Sequence, residues 1–155
     1  MDREDKIQIE ELHKEIDLIQ NCINRMTGNS FLLKGWLVSL VAVIMTIGTG
    51  ELNKTVVIMT AVIMTCSFWY LDAFFLRTER KYRKMYKWVL EKRANQDREL
   101  QYDLDPTRFD NEVESLLTIM LSNTLRRFYG MILLLIVLVA LYYMRQNILS
   151  VFCHC

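Results

Sequence analysis

The hydrophobic positions of this chain are concentrated in three long runs that densely charged segments separate. The runs cover residues 31 to 48, 55 to 76 and 128 to 144. A helix needs about 20 residues to cross the hydrocarbon core of a bilayer, so the second run is long enough and the other two are near the lower limit. We therefore predict an all-α membrane protein with three transmembrane helices, the first two forming a hairpin over residues 31 to 76.

The distribution of Lys and Arg predicts the orientation of these spans. Twelve of the nineteen basic residues lie between residues 77 and 127, whereas the connector of residues 49 to 54 contains only Lys54. Because cytoplasmic flanks of membrane helices are enriched in Lys and Arg, we place the N-terminus and residues 77 to 127 in the cytoplasm. Residues 1 to 30 are rich in charge and no small-residue cleavage pattern follows the first run, so we expect no cleavable signal peptide.

The third apolar run determines where the C-terminus lies. We assign residues 128 to 146 to a third span and residues 147 to 155 to a tail outside the cytoplasm. A re-entrant or interfacial helix would instead leave the tail inside, but the uncharged run and the interfacial aromatics Tyr142 and Tyr143 favour a complete span. The tail ends in Cys153, His154 and Cys155, and adjacent residues do not easily supply the four tetrahedral ligands that zinc prefers.

Residues 1 to 28 show a heptad pattern. Apolar side chains recur at steps of three and four and form the predicted assembly seam: Ile9, Leu12, Ile16, Ile19, Ile23 and Met26. Charged residues fill the intervening positions, which is typical of an amphipathic helix that buries a narrow stripe against a partner helix. The partner helix belongs either to this chain or to another copy.

The segment after the second span is predicted to be a long basic helix. Neither Gly nor Pro occurs in residues 68 to 104, so the simplest interpretation is one helix that continues from the membrane into the cytoplasm. The next helix begins either at Asp105-Pro106, where proline suits a first helical turn, or at Asp110. It then leads into the third span.

Asp72 is an ionisable residue within the second apolar run. Lys34 lies at a similar depth in the first run if the two spans are antiparallel neighbours. Charge at membrane depth is costly and is usually paired or directed to a wet cavity, so a pair of Lys34 with Asp72 is one hypothesis, with a role in gating. Independent snorkelling of both side chains, or pairing of Asp72 with Arg77 or Arg80, are the alternatives.

The basic stretch of residues 77 to 87 combines cations with aromatic rings. Its candidate phosphate contacts are Arg77, Arg80, Lys81, Arg83, Lys84 and Lys87. Tyr82, Tyr86 and Trp88 are candidate stacking residues, because single-stranded nucleic acids are bound by cations that contact phosphates and by rings that stack on bases. The competing interpretation is contact with anionic membrane lipid, to which each cation near the surface contributes about 1 kcal/mol.

The sequence offers no pattern of catalytic or metal-binding residues. It contains no GxSxG, P-loop or HExxH motif, so we do not expect an enzyme, a cofactor or a metal site.

Two segments resemble a family of small bacterial membrane proteins. NSFLLKGW at residues 29 to 36 and FWYLDAFFLRTERKYRKMY at residues 68 to 86 are similar to the transmembrane effectors of Hailong-type anti-phage defence. The resemblance covers residues 10 to 90, whereas residues 100 to 155 match no motif. It implies a homo-oligomeric, tetrameric, ligand-gated channel of the bacterial inner membrane. DNA oligomers made by a partner nucleotidyltransferase would hold it closed, and opening would depolarise the infected cell.

These observations lead to one functional hypothesis and two alternatives. A chain of this size has little room for a pore of its own, so conduction would require several copies around an axis. The basic stretch would then bind the oligonucleotide, with Lys34 and Asp72 coupling it to the spans. The alternatives are a channel gated by a cyclic nucleotide or a protein, and a non-conducting scaffold whose heptad helix docks a cytosolic partner.

Overall fold

The chain is helical throughout most of the part that the structure describes. The computed structural model describes residues 3 to 48, 50 and 53 to 153, with side chains over 7 to 48, 50 and 53 to 146. Its elements are α1 Arg3–Ile47, α2 Lys54–Ala94, a 3-10 helix Pro106–Glu112, α3 Leu116–Met120 and α4 Asn123–Cys153. Three of them, α1, α2 and α4, are long and apolar enough to cross a membrane. The prediction of an all-α membrane protein with three spanning helices is confirmed.

The helices contribute to two compact units. The charged unit comprises Met1–Phe31 and Phe74–Ile119, and the apolar unit comprises Leu32–Ala73 and Met120–Cys155. In the apolar unit, small and aliphatic side chains form the buried surface: Leu37, Val41, Ala61, Ala73, Leu125 and Ile136. Its outer surface is also apolar, as a hydrocarbon environment requires.

A tight connection joins α1 to α2 within the apolar unit. A side chain at Gly48 would place a Cβ 2.7 Å from Cγ1 of Val57, so this close approach of the two helices requires glycine. Lys54 Nζ donates to the carbonyl oxygens of Gly48 and Gly50, both at 2.6 Å, and thereby satisfies acceptors left at the end of α1. The Asn53 side chain accepts from the Thr55 N–H and caps α2.

Helix α1 continues through the boundary predicted between an N-terminal helix and the first span. Residues 27 to 31 are helical, and Gly28 lies inside the helix in open space, with nothing within 4 Å of the point that a Cβ would occupy. A single glycine in a long helix costs about 1 kcal/mol relative to alanine, which does not break it. Within the described residues, the predicted N-terminal helix is therefore not separate: residues 3 to 28 are the first part of α1.

The core of the charged unit is formed where α1 packs against α2 and the 3-10 helix. Its buried members are Ile19, Tyr82, Met85, Val89 and Phe109. Among the seam residues, Leu12, Ile23 and Met26 pack against this core, Ile16 is half-buried, and Ile9 is 44% exposed. Part of the heptad stripe thus packs inside the same chain, while its role in assembly stays a prediction.

Helix α2 ends at Ala94, ten residues before the end that the absence of Gly and Pro predicts. Gln96 has φ 58°, and the Asp97 N–H donates to the Lys92 carbonyl while the Gln96 N–H donates to that of Arg93. These are the bonds of a Schellman motif, in which a left-handed residue satisfies the last helical carbonyls. The prediction of one helix over residues 68 to 104 is wrong because tertiary contacts favour this left-handed residue.

A buried ion pair fixes the loop after α2. Arg93 donates from Nε and Nη2 to the two carboxylate oxygens of Glu15, at 2.9 and 2.8 Å. The Glu15 side chain is 2% exposed and that of Arg93 is 8% exposed. Glu15 also accepts from the Tyr102 N–H, and Arg93 Nη1 donates to the Asp97 carbonyl, so the pair holds the loop against α1.

The next helix starts at Asp105, but the prediction that it leads into the third span is wrong: it is a 3-10 helix that ends at Glu112, and α3 and α4 follow as separate helices. Asp105 accepts from the Thr107 N–H at 2.9 Å and is the N-cap of the 3-10 helix, with Pro106 in its first turn. Asp110 lies inside this short helix, and its carboxylate has a different role in the charged unit.

Candidate functional site

Carboxylates of the same chain pair with most of the basic stretch. Arg80 Nη1 lies 2.5 Å from Glu114 Oε2, Lys81 forms an ion pair with Asp110, and Lys84 Nζ lies 3.8 Å from Glu112 Oε2. We call residues 110 to 114 the acidic segment. It provides three carboxylates at cations for which the sequence predicts phosphate contacts.

The remaining cations of the basic stretch differ in their surroundings. Arg77 donates to the carbonyl oxygens of Asp110 and Glu114, both at 3.2 Å. Arg83 is 63% exposed and pairs through Nε with Glu79 at 2.6 Å. Among the residues that the structure describes, Lys87 has no carboxylate within ion-pair distance. Arg83 and Lys87 are therefore the cations of this stretch with most capacity for an added anion.

The ion pairs lower the pKa values of the acidic segment. The pKa of Asp110 is lowered chiefly by the hydrogen bond from Lys81, and that of Glu114 chiefly by the hydrogen bond from Arg80. Both carboxyl groups are exposed enough for salt to screen the interaction. At neutral pH they are ionised, and the acidic segment and the basic stretch attract each other.

Acidification is expected to destabilise the charged unit below about pH 4. A carboxyl group with a lowered folded pKa binds more protons when unfolded, so its contribution is present above the unfolded pKa and is lost as the pH falls through the folded pKa. The thermal midpoint of the micelle-solubilised protein, measured from neutral pH into this acidic range, should therefore fall at the acidic end. The thermal midpoint of the variant R80M/K81M should depend less on pH than that of the wild-type protein. The same pH dependence in both proteins would contradict this assignment.

The three candidate stacking residues lie in different environments. Tyr82 is 8% exposed and belongs to the core of the charged unit, so its ring cannot stack on a base in this conformation. Trp88 makes an edge contact with Phe109 at 6.4 Å between ring centroids, and the Arg108 guanidinium lies 5.1 Å from its centroid. Stacking thus stays a prediction for Tyr86 and Trp88, which are half-buried.

A groove of about 520 Å³ lies between α1 and α2 in the charged unit. Its lining residues are Gln20, Ile23, Asn24, Arg83, Tyr86 and Lys87. We call it the α1–α2 groove. It brings the two least-neutralised cations of the basic stretch together with two side-chain amides of α1. The sequence does not predict these amides, because the pairing of the helices is needed to place them.

The apolar unit contains a buried polar network of Lys34, Asp72 and Tyr129. Lys34 Nζ lies 2.6 Å from Asp72 Oδ2, and the Asp72 side chain is completely buried. The Tyr129 hydroxyl donates to Asp72 Oδ2 at 3.0 Å, and its ring stacks on Trp69 with centroids 5.6 Å apart. Pairing of Lys34 with Asp72 is one of three predicted alternatives, whereas the sequence does not predict Tyr129.

Trp69 extends this network to the end of α3. Its indole Nε1 donates to the Met120 carbonyl at 2.9 Å. The buried charge thus has an ion-pair partner, a hydroxyl donor and an ordered aromatic neighbour, which are the conditions under which charge is tolerated in an apolar environment.

The fold defines the class of the molecule as an all-helical membrane protein. Comparisons of the chain with protein-family models, with curated proteins and with solved structures found no match. The sites themselves and the two segments quoted above are therefore the basis for a functional proposal. The Cys-His-Cys tail lies outside the residues whose side chains the structure describes.

Proposed function

We propose that the chain is a subunit of a homo-oligomeric ion channel, controlled by a nucleic-acid oligomer that binds the basic stretch. The observation that carries this proposal is the polar network around Asp72. Ionisable side chains within a membrane span are rare and usually belong to ion pathways or switching elements. Asp72 and the basic stretch also belong to the same continuous helix, α2, so anion binding has a direct structural route to the network.

Conduction in this proposal depends on several copies. Three spanning helices are too few to enclose a water-filled pore and still pack against one another, and closed rings are the usual way in which small subunits assemble. The apolar unit has large exposed side chains that lipid or another copy would cover: Trp36, Val43, Ile63, Met131 and Leu138. We propose a tetramer, with the seam residues of α1 contributing to assembly.

The acidic segment supports the proposal that the ligand is a polyanion. Its carboxylates present to Arg80, Lys81 and Lys84 the negative charge and acceptor oxygens that phosphates would also present. An oligonucleotide must compete with these carboxylates, so it can bind one arrangement of the segment better than another. Such a difference in affinity is what a ligand needs in order to change the population of open channels.

The resemblance to anti-phage effectors supports the biological setting of this proposal. We place the channel in the bacterial inner membrane, with the N-terminus and the basic stretch in the cytoplasm and the C-terminus outside. A partner nucleotidyltransferase would supply the DNA oligomer that holds the channel closed. Loss of that oligomer during infection would open the channel and depolarise the cell.

Neutralising three cations of the basic stretch is expected to abolish oligonucleotide binding. The variant R80Q/K81Q/R83Q removes three phosphate contacts. For any residual binding, the negative slope of log K against log salt should be shallower by about 2, since each contact with a single strand contributes about 0.7 to its magnitude. Binding of a single-stranded DNA oligomer to the micelle-solubilised protein, titrated at several salt concentrations, measures both quantities. Unchanged affinity with an unchanged slope would contradict the assignment.

The matched variant neutralises the acidic segment. In D110N/E112Q/E114Q the intramolecular competitors lose their charge, so the same oligomer should bind more tightly than to the wild-type protein. A gain in affinity cannot result from misfolding, and it therefore controls for the loss expected in the cationic variant. Equal losses in both variants would indicate that the changes act through stability instead.

A further inference from the structure

The α1–α2 groove has the dimensions and the mixed lining of a small-molecule site. Its volume of about 520 Å³ lies within the range of ligand pockets, which is about 300 to 1,000 Å³. Helix α1 provides amides on one wall, and α2 provides cations on the other. Tyr86 and Ile23 add apolar surface, so one groove offers three kinds of contact.

The cations of the groove are better placed for an external phosphate than their neighbours on α2. Arg83 uses Nε for Glu79, and its guanidinium carries further N–H donors in a planar fork. Lys87 has no carboxylate within ion-pair distance among the described residues. By contrast, Arg80 and Lys81 already contact the acidic segment. A phosphate entering the groove would displace no carboxylate from Lys87.

The amides of the groove suit the edge of a nucleobase. Gln20 and Asn24 lie one turn apart on α1, and both are exposed. A side-chain amide has both a donor and an acceptor, and this pair matches the adjacent donor and acceptor of adenine. The half-buried Tyr86 ring offers a surface for base stacking.

We propose that the α1–α2 groove binds one nucleotide. Arg83 and Lys87 hold its phosphate, while Gln20 and Asn24 contact the base edge beside Tyr86. The ligand is a nucleoside phosphate, either free or as one unit of an oligomer. This inference rests on the proposed function and adds to it a site that recognises a single unit, using residues of α1 that lie outside the basic stretch.

Calorimetric titration of the full-length protein in micelles tests the groove with two probes, dAMP and a single-stranded oligomer of deoxyadenylates. K87Q should weaken binding about tenfold or more, because it removes a hydrogen bond to a charged phosphate. N24A removes a hydrogen bond between neutral groups and should weaken binding about threefold to tenfold. K14Q is the matched control, since it removes the same charge from an exposed lysine of the charged unit that neither belongs to the basic stretch nor lines the groove. It should change the affinity less than about twofold, because salt screens an exposed charge that does not contact the ligand.

The two probes distinguish the sources of the nucleotide. Binding of dAMP with the same dependence on Lys87 and Asn24 would assign the groove to free nucleotides, and binding of the oligomer alone would assign it to a unit of a chain. Either result supports the inference, provided that helical content is unchanged in the variants. Equal losses in K14Q and K87Q with no effect of N24A would overturn it, as would no binding of either probe. Channel currents would still test the proposed function after such a result.

Discussion

Replacing Glu15 with alanine is expected to lower the free energy of unfolding of the charged unit by about 3–5 kcal/mol. The change leaves the Arg93 guanidinium buried without its carboxylate, and it removes the acceptor of the Tyr102 N–H. An uncompensated buried charge is the reason for the large effect. Hydrogen exchange of the micelle-solubilised protein measures it directly, since amides in residues 95 to 102 should lose protection first.

Glu11 provides the matched control for this prediction. It lies one turn before Glu15 on α1, but its contacts with Arg98 and Gln101 are longer, at 3.7 and 3.4 Å, and its side chain is 36% exposed. E11A should therefore cost less than about 1 kcal/mol, as exposed ion pairs do. Equal effects of E11A and E15A would contradict the central role of the Glu15–Arg93 pair.

Replacing Asp72 with alanine is expected to destabilise the apolar unit by a similar amount, about 3–5 kcal/mol. Lys34 would lose the carboxylate that lies 2.6 Å from its Nζ, and the Tyr129 hydroxyl would lose its side-chain acceptor. Because water is absent from the hydrocarbon core, loss of the carboxylate is costly there, while the Tyr129 hydroxyl keeps the Phe68 carbonyl as an acceptor at 3.3 Å. Denaturant titration of the protein in mixed micelles gives the change in unfolding free energy.

Two further variants separate charge from hydrogen bonding at this position. D72N keeps an acceptor for Tyr129 but removes the carboxylate charge next to Lys34, so it should remain destabilised. The double variant K34M/D72L removes both charges and should recover most of the stability, because buried ion pairs are often replaceable by apolar residues of similar size. If the double variant does not recover the free energy of unfolding, the ion pair stabilises the apolar unit by more than neutralising its two charges.

The sequence predicts the spans well because the requirement for apolar length is strict. The runs at 31 to 48, 55 to 76 and 128 to 144 each coincide with a long helix of the structure. Depth along two antiparallel spans also indicates Lys34 as a partner of Asp72. This estimate works because a helix rises about 1.5 Å per residue, which fixes the depth of each side chain relative to the ends of its span.

Contacts between residues distant in sequence account for what could not be predicted. The left-handed conformations of Gln96, Leu100 and Tyr102 have no glycine to signal them, and the buried pair of Glu15 with Arg93 joins residues 78 positions apart. Local propensity does not contain such information, so the predicted helix is too long at its C-terminal end.

The same reason applies to the partners of the charged residues. Tyr129 is the second residue of the third apolar run, and nothing in its neighbours indicates that it donates to Asp72. In the sequence, the acidic segment indicates only the start of a helix, yet its carboxylates neutralise the basic stretch. Charge patterns identify which residues need partners, but the fold decides which partners they have.

We propose that an oligomer of this chain conducts ions and that a polyanion bound to the basic stretch closes it. Single-channel recording in a planar bilayer, with the purified protein inserted and its oligomeric state verified, is the decisive measurement for this proposal. We expect discrete openings that single-stranded DNA suppresses when it is added on the side of the basic stretch. A silent bilayer, or openings that are indifferent to DNA on both sides, would contradict it.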